Sequence, residues 1–296
     1  MFGVLNLNKP RGKTSRQIVN VVKRLVHPLK LGHAGTLDPM ATGVLPVCLG
    51  RATKLIPLLQ KSAKVYDAEF TLGQTSDTDD ATGVISEVPV AAEQTQDAVD
   101  AALQKFVGVI AQVPPVYSAV KVNGHRAYAK ARRGEGVELK AKNVTVFSIE
   151  ILRYSWPVLQ VRITCGSGTY IRSIARDLGK RLGCGGLMSG LIRCSSAGLM
   201  LPDSLDPNVL TAENLAQHLV SPVRLVRQHL NVIHRCSTSD RLLVGQGRPL
   251  SHEGEAKEGA PVGFLSEDGC ELLAIGEVKR GHLQPRSVFH VDQFST

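Results

Sequence analysis

The sequence predicts an α+β protein in two pieces, residues 1–230 and 231–296. Three observations predict it. Strands and helices mix in the first piece without the regular β-α-β alternation of a doubly wound sheet. Residues 64–72 alternate, with Tyr66, Ala68, Phe70 and Leu72 on one face and Val65, Asp67, Glu69 and Thr71 on the other, as in a half-buried strand. Beyond Asn231 the pattern becomes short strands, and Asp268-Gly269 between two apolar runs signals a hairpin.

In chain order, Val4-Leu5-Asn6-Leu7 reads as a short strand, and Lys9-Pro10-Arg11-Gly12 as a turn. Thr14 or Ser15 then caps a helix whose apolar stripe is Ile18, Val22, Leu25 and Val26. Gly32 to Gly50 is expected as a glycine-rich loop region, and the acids around Asp77 to Asp80 as an exposed hairpin loop. A helix with Val99, Ala102, Leu103 and Phe106 ends at Gly108. Leu159 to Cys165 is a strand, which Gly166-Ser167-Gly168 turns into a helix carrying Ile171, Ile174, Ala175, Leu178 and Leu182. A short helix is expected at about Ala212 to Leu219.

Composition narrows the function classes. The 296 residues, 43% hydrophobic and 21% charged, suffice for a sizeable core and exclude wholesale disorder. No run approaches the ~18 apolar residues of a membrane span, and the N-terminus does not read as a secretion signal. Six scattered cysteines without a C-x-x-C pair point to a reducing cytoplasm rather than a zinc knuckle. The charge is unevenly spread. Residues 1–65 hold eleven Lys and Arg against the single acid Asp38, so they carry +10 of the chain's net +9 and leave −1 for the rest. Residues 67–100 hold nine acids and no Lys or Arg. A second basic stretch runs through Lys121, Arg126, Lys130, Arg132, Arg133, Lys140 and Lys142. Two basic blocks fit a polyanion, RNA or DNA, better than a membrane.

Elimination removes several chemistries. Gly12-Lys13-Thr14 resembles the end of a phosphate-binding loop, but Leu7 stands where that motif needs glycine and Pro10 removes an N–H. There is no G-x-S-x-G elbow and no metal-binding cluster. What remains is Asp38, the lone carboxylate of a cationic stretch, inside Gly32-His33-Ala34-Gly35-Thr36-Leu37-Asp38-Pro39-Met40-Ala41-Thr42-Gly43. Two readings are open on pattern alone. Asp followed by Pro makes a good helix cap. Alternatively, Asp38 is a nucleophile held ionised by neighbouring cations, which lower a carboxylate pKa by about 1–3 units.

At this loop the chain resembles the TruB-type tRNA pseudouridine synthases. The resemblance runs through Gly32 to Pro46 and continues in order with Asn8-Lys9-Pro10, Thr14-Ser15, Lys64-Val65-Tyr66, Pro114 to Lys121, Gly168-Thr169-Tyr170-Ile171-Arg172 and Leu191-Ile192-Arg193. It covers residues 3–200 firmly and the remainder loosely. It implies a mixed, largely antiparallel sheet flanked by helices, the pseudouridine synthase fold, followed by a small β-rich PUA-like domain that grips the acceptor end of tRNA. It implies isomerisation of uridine to pseudouridine, expected at position 55 in the T loop, with no cofactor, no metal and no protein partner, by a cytoplasmic monomer. Asp38 would be the nucleophile, toward C6 of the base or C1′ of the sugar, and the target base would leave the RNA stack. Arg172 would pair with Asp38, against the plainer reading of a solvated helix residue. Tyr66 would stack on the uracil and move a proton, against the plainer reading of a core residue. His33 would help disrupt stacking near the flipped base, Tyr170 and Leu191 would line the pocket, and Lys9 with Pro10 would support the loop, Lys9 otherwise being one more phosphate contact. Leu187 and Ile192 depart from a family His and Arg. An RNA-binding protein without catalysis would use the same basic surfaces, and Asp38 separates the two. A metal-dependent nuclease lacks companion carboxylates.

Overall fold

A computed structural model describes residues 1–118, 121–122, 125–126, 139–252 and 254–289. The expected RNA contacts at Lys121, Arg126, Lys130, Arg132 and Arg133 lie outside the residues whose side chains are described. No helix among the described residues is long and apolar enough to cross a membrane.

The chain folds as α+β around a ten-stranded sheet. Its main path runs Leu219–Val220, Gly3–Lys9, Thr42–Leu49, Gly186–Ser196, Lys64–Leu72, Val158–Cys165, Lys142–Ser155 and Gly108–Gln112. Neighbours pair antiparallel except Gly186–Ser196 with Thr42–Leu49, which are parallel. A second, five-stranded sheet spans Val232 to Val288 and includes the Pro261–Ser266/Leu272–Lys279 hairpin read from Asp268-Gly269. This architecture agrees with the mixed, largely antiparallel sheet and the small β-rich C-terminal piece expected of the sequence.

The expected alternation is borne out: Tyr66, Ala68, Phe70 and Leu72 are buried on strand Lys64–Leu72. Thr14, rather than Ser15, caps helix Ser15–Leu25, with Gln17 completing a capping box. Ile18, Val19 and Val22 bury its inner face, worth roughly 1.5–3 kcal/mol each. Helix Gln96–Gln104 carries the expected Val99, Ala102 and Leu103 but ends before Phe106 and Gly108, helix Ile171–Leu182 follows its expected stripe, and the expected 212–219 helix shortens to one 3-10 turn at Leu215–His218. Helix Pro222–His229 carries no expectation from the pattern.

Two expectations are corrected. Thr42–Leu49 is a central strand, not part of a loop. It sits between two strands with its side chains buried, so its apolar run is continuous and shows no alternation. The hairpin Gln74–Ser76/Ile85–Glu87 exists, but its connecting loop is not wholly exposed: Asp80 is buried. It finds a cationic partner far along the chain.

Gly43, the second residue of the central strand, has φ +103°, and a Cβ there would lie 2.3 Å from the Arg193 carbonyl oxygen. Gly43→Ala is therefore expected to cost more than about 2 kcal/mol through combined strain and clash, read as a lowered denaturation midpoint. An unchanged midpoint would contradict this packing.

Candidate active site

The loop between strands Leu31–His33 and Thr42–Leu49 carries Asp38. Leu37, Met40 and Ala41 plug it into the main core, so Asp38 is left facing a cleft. Other side chains hold the loop from behind. The Ser15 hydroxyl accepts from the Leu37 N–H at 2.9 Å and donates to the Leu37 carbonyl at 3.2 Å. Lys9, fully buried, donates from Nζ to the carbonyls of Lys13 at 2.7 Å, Pro10 at 3.0 Å and Pro39 at 3.2 Å. The Gly12 N–H also donates to the Pro39 carbonyl, at 2.8 Å. Burial lowers the Lys9 pKa to about 8. Lys9 thus braces the loop from a position with no exposed surface.

Opposite Asp38 stands Arg172, in the first turn of helix Ile171–Leu182. A cation there opposes the helix dipole, and two nearby carboxylates compensate. Nε lies 3.0 Å from Asp38 Oδ2, Nη2 donates to Asp38 Oδ1 at 3.2 Å, and Nη1 lies 3.5 Å from Asp80 Oδ2. The guanidinium also donates to the Thr78 and Tyr117 carbonyls, each at 3.1 Å. Arg172 is buried, so the reading of a solvated helix residue falls away. Asp80 is held in turn by Thr78 Oγ1 at 2.8 Å and by the Thr82 N–H at 2.9 Å.

Asp38 is no helix cap: it precedes a turn closed by the Ala41 N–H donating to its carbonyl at 3.1 Å. Its pKa is raised rather than lowered, another correction. Desolvation pushes it up and outweighs Arg172, Asp80 adds to the rise, and Lys9 opposes it.

The cleft, of about 300 Å³, is lined by Asp38, Tyr66, Tyr170, Arg172, Leu191 and Arg193 among others. Tyr66 shares the core face with Phe70, yet its ring borders this space. Burial raises the pKa of both Tyr66 and Tyr170. Gln112 fixes Tyr170 by accepting from its N–H at 2.8 Å and donating to its carbonyl at 3.1 Å. His33 is not among the lining residues; it stands on its short strand opposite Val47. Burial lowers its pKa, which leaves it neutral near pH 7.

Asp38, Tyr66, Arg172, Tyr170 and Leu191 are therefore brought together, and His33 and Lys9 stand apart from the cleft lining. Asp80, Ser15, Gln112 and Arg193 belong to the site without having been assigned to it from sequence. Ser15, in the Thr14-Ser15 segment, and Arg193, in Leu191-Ile192-Arg193, carried a signal. Among the described residues no three His, Cys, Asp or Glu side chains gather as a metal site.

Comparison with known proteins adds an independent line. The family model "TruB family pseudouridylate synthase (N terminal domain)" matches residues 23–171. The tRNA pseudouridine synthase B of Thermobifida fusca is 41% identical over 295 residues, covering 97% of this chain and 98% of that protein. That of Clostridium acetobutylicum is 42% identical over 288 residues, covering 93% and 99%. Among solved structures, a Cbf5–Nop10–Gar1 complex aligns with a TM-score of 0.75 at 26% identity, over 98% of this chain and 84% of that one. An H/ACA RNP bound to a substrate RNA containing 2′-deoxyuridine aligns at 0.70 and 25% identity, over 98% and 84%.

The electrostatics of the pair are directly measurable. The Asp38 carboxyl is expected to titrate above the ordinary 3.8, and Arg172→Gln should move it higher still by removing the nearest cation. Carbon-13 NMR of the labelled side chain reads both, and a downward move in the variant would contradict the geometry.

Proposed function

The chain belongs to the TruB family of pseudouridylate synthases, and from that premise we propose how its cleft performs the reaction. It is an enzyme, an isomerase that converts uridine in tRNA to pseudouridine. In our reading Asp38 is the nucleophile, and the observation that carries it is the loop carboxylate at the cleft, oriented by Arg172 at 3.0 Å.

The isomerisation breaks the bond between uracil N1 and ribose C1′, makes one between C5 and C1′, and replaces the proton lost from C5 by one gained at N1. Atoms and electrons balance within the nucleotide. Asp38 attacks as the carboxylate, at C1′ or at C6. The uridine reaches it by leaving the RNA stack, at a cost of a few kcal/mol. Tyr66 and Tyr170 offer ring faces and Leu191 an apolar wall to the extruded base. Burial keeps the Tyr66 phenol protonated at neutral pH, in the state to donate a proton while it stacks. His33, outside the cleft lining, acts on the neighbouring loop nucleotides rather than on the reacting ring.

The target is position 55 in the T loop. RNA phosphates run over the exposed cations of residues 1–65. This is supported by a cleft of about 820 Å³ lined by Lys13, Lys23, Arg24 and His27 with no carboxylate. Lys9 and Lys64 are buried and lie outside that surface. Residues 231–296 act as the RNA-binding domain toward the acceptor end. The enzyme works as a monomer, and in the cytoplasm; six cysteines that are all free support the second reading.

Asp38→Asn is expected to bind tRNA within about tenfold of the parent, roughly 1.4 kcal/mol, and to yield no pseudouridine at position 55 when nucleotides are mapped. Product from this variant would end the nucleophile assignment. Binding should also weaken about a thousandfold between 50 and 200 mM salt if about six phosphates are contacted. A flat response would remove residues 1–65 from the RNA face.

A further inference from the structure

The mechanism above leaves Arg193 unused, although it is among the largest fully buried side chains of the protein. Its strand, Gly186–Ser196, lies between Thr42–Leu49 and Lys64–Leu72. The register sets Arg193 opposite Gly43 on one side and Tyr66 on the other. Nε donates to the Val44 carbonyl at 2.7 Å, and Nη2 to the Gly35 carbonyl at 3.2 Å. Gly35 stands near the start of the loop that carries Asp38, and Val44 in the strand that follows it. Tyr66 is the neighbour of Arg193 on the adjacent strand, and both residues border the cleft.

Among the described residues Arg193 makes no ion pair. A buried cation without a counter-charge is costly, and an apolar side chain would fill the same volume at lower cost. What an apolar residue lacks is a rigid fork of donors aimed in several directions. That fork ties Gly35 and Val44 together beside Tyr66.

We propose that Arg193 is a positioning residue for the isomerisation, clamping the Asp38 loop and the Tyr66 phenol into one fixed arrangement. The proposal rests on the reading of Asp38 and Tyr66 as reacting groups, so its test separates the two. Single-turnover rates at saturating enzyme, RNA dissociation constants and melting temperatures are compared for Arg193→Lys, Arg193→Met, Tyr66→Phe and the Arg193→Met/Tyr66→Phe double variant of the full chain.

Arg193→Met is expected to slow the chemical step at least a hundredfold while RNA binding changes less than threefold. Arg193→Lys, which keeps the charge and loses the fork, is expected to lose about tenfold. The double variant should be no slower than the worse single, because the two residues act as a unit. The proposal is overturned if a folded Arg193→Met keeps its rate within threefold, or if the losses simply multiply. Should Arg193→Met fail to fold, Arg193→Lys decides: a parental rate overturns the proposal. A parental rate in Tyr66→Phe alone would instead remove the Tyr66 reading on which it rests, while leaving Asp38 in place.

Discussion

One guanidinium stands between two carboxylates, and the site depends on it. Arg172 reaches Asp38 at 3.0 Å and Asp80 at 3.5 Å from a buried position at the start of a helix. An isolated buried Arg would be costly, and so would either acid alone. Together they leave one net negative charge, and of the two members that border the cleft, Asp38 and Arg172, Asp38 is the more exposed. Asp80 faces inward, held by Thr78 and Thr82. The arrangement makes Asp38 a directed carboxylate rather than a solvated one. Desolvation still raises its pKa, which makes the carboxylate more basic and so more reactive as a nucleophile once ionised. Arg172 limits how far that rise goes.

A nucleophile on a loop is useful only if the loop stays in place, since small misplacements of reacting atoms are costly in rate. Here the carbonyls of Gly35, Leu37, Pro39 and Val44 are held by Arg193, Ser15 and Lys9. Ser15 and Lys9 are not among the residues lining the cleft, whereas Arg193 borders it. Strongly basic composition in this part of the chain therefore has two meanings. Lys9, Lys64 and Arg193 are internal fasteners, while Lys13, Lys23 and Arg24 face solvent.

Much of this was legible in the sequence, and the failures have physical causes. The alternation at residues 64–72 gave the strand that carries Tyr66, and the Thr14 cap placed the helix behind the Asp38 loop. The segment Thr42–Leu49 was hidden because a strand covered on all sides has no polar face to show a period of two. Asp80 was read as exposed because its neighbours Asp77 and Asp79 suggested a solvated loop, and its partner Arg172 lies far along the chain. Lys9 was expected to support the loop, and the three carbonyls that satisfy it come from a turn and a loop that only the fold brings together. Local pattern alone also left Asp38 as a plausible helix cap, and its environment was expected to lower its pKa. That sign was wrong because counting nearby cations ignores the water that burial removes.

The central claim is that the Asp38 carboxylate meets an extruded uridine in this cleft. The most direct measurement is a crystal structure of the Asp38→Asn variant with a uridine-containing T-arm RNA. The account predicts a uracil ring turned out of the loop, enclosed by Tyr66, Tyr170 and Leu191, with the side chain of residue 38 in contact with C1′ or C6. A uridine still stacked within its RNA, or an RNA bound elsewhere with the cleft unfilled, would contradict it.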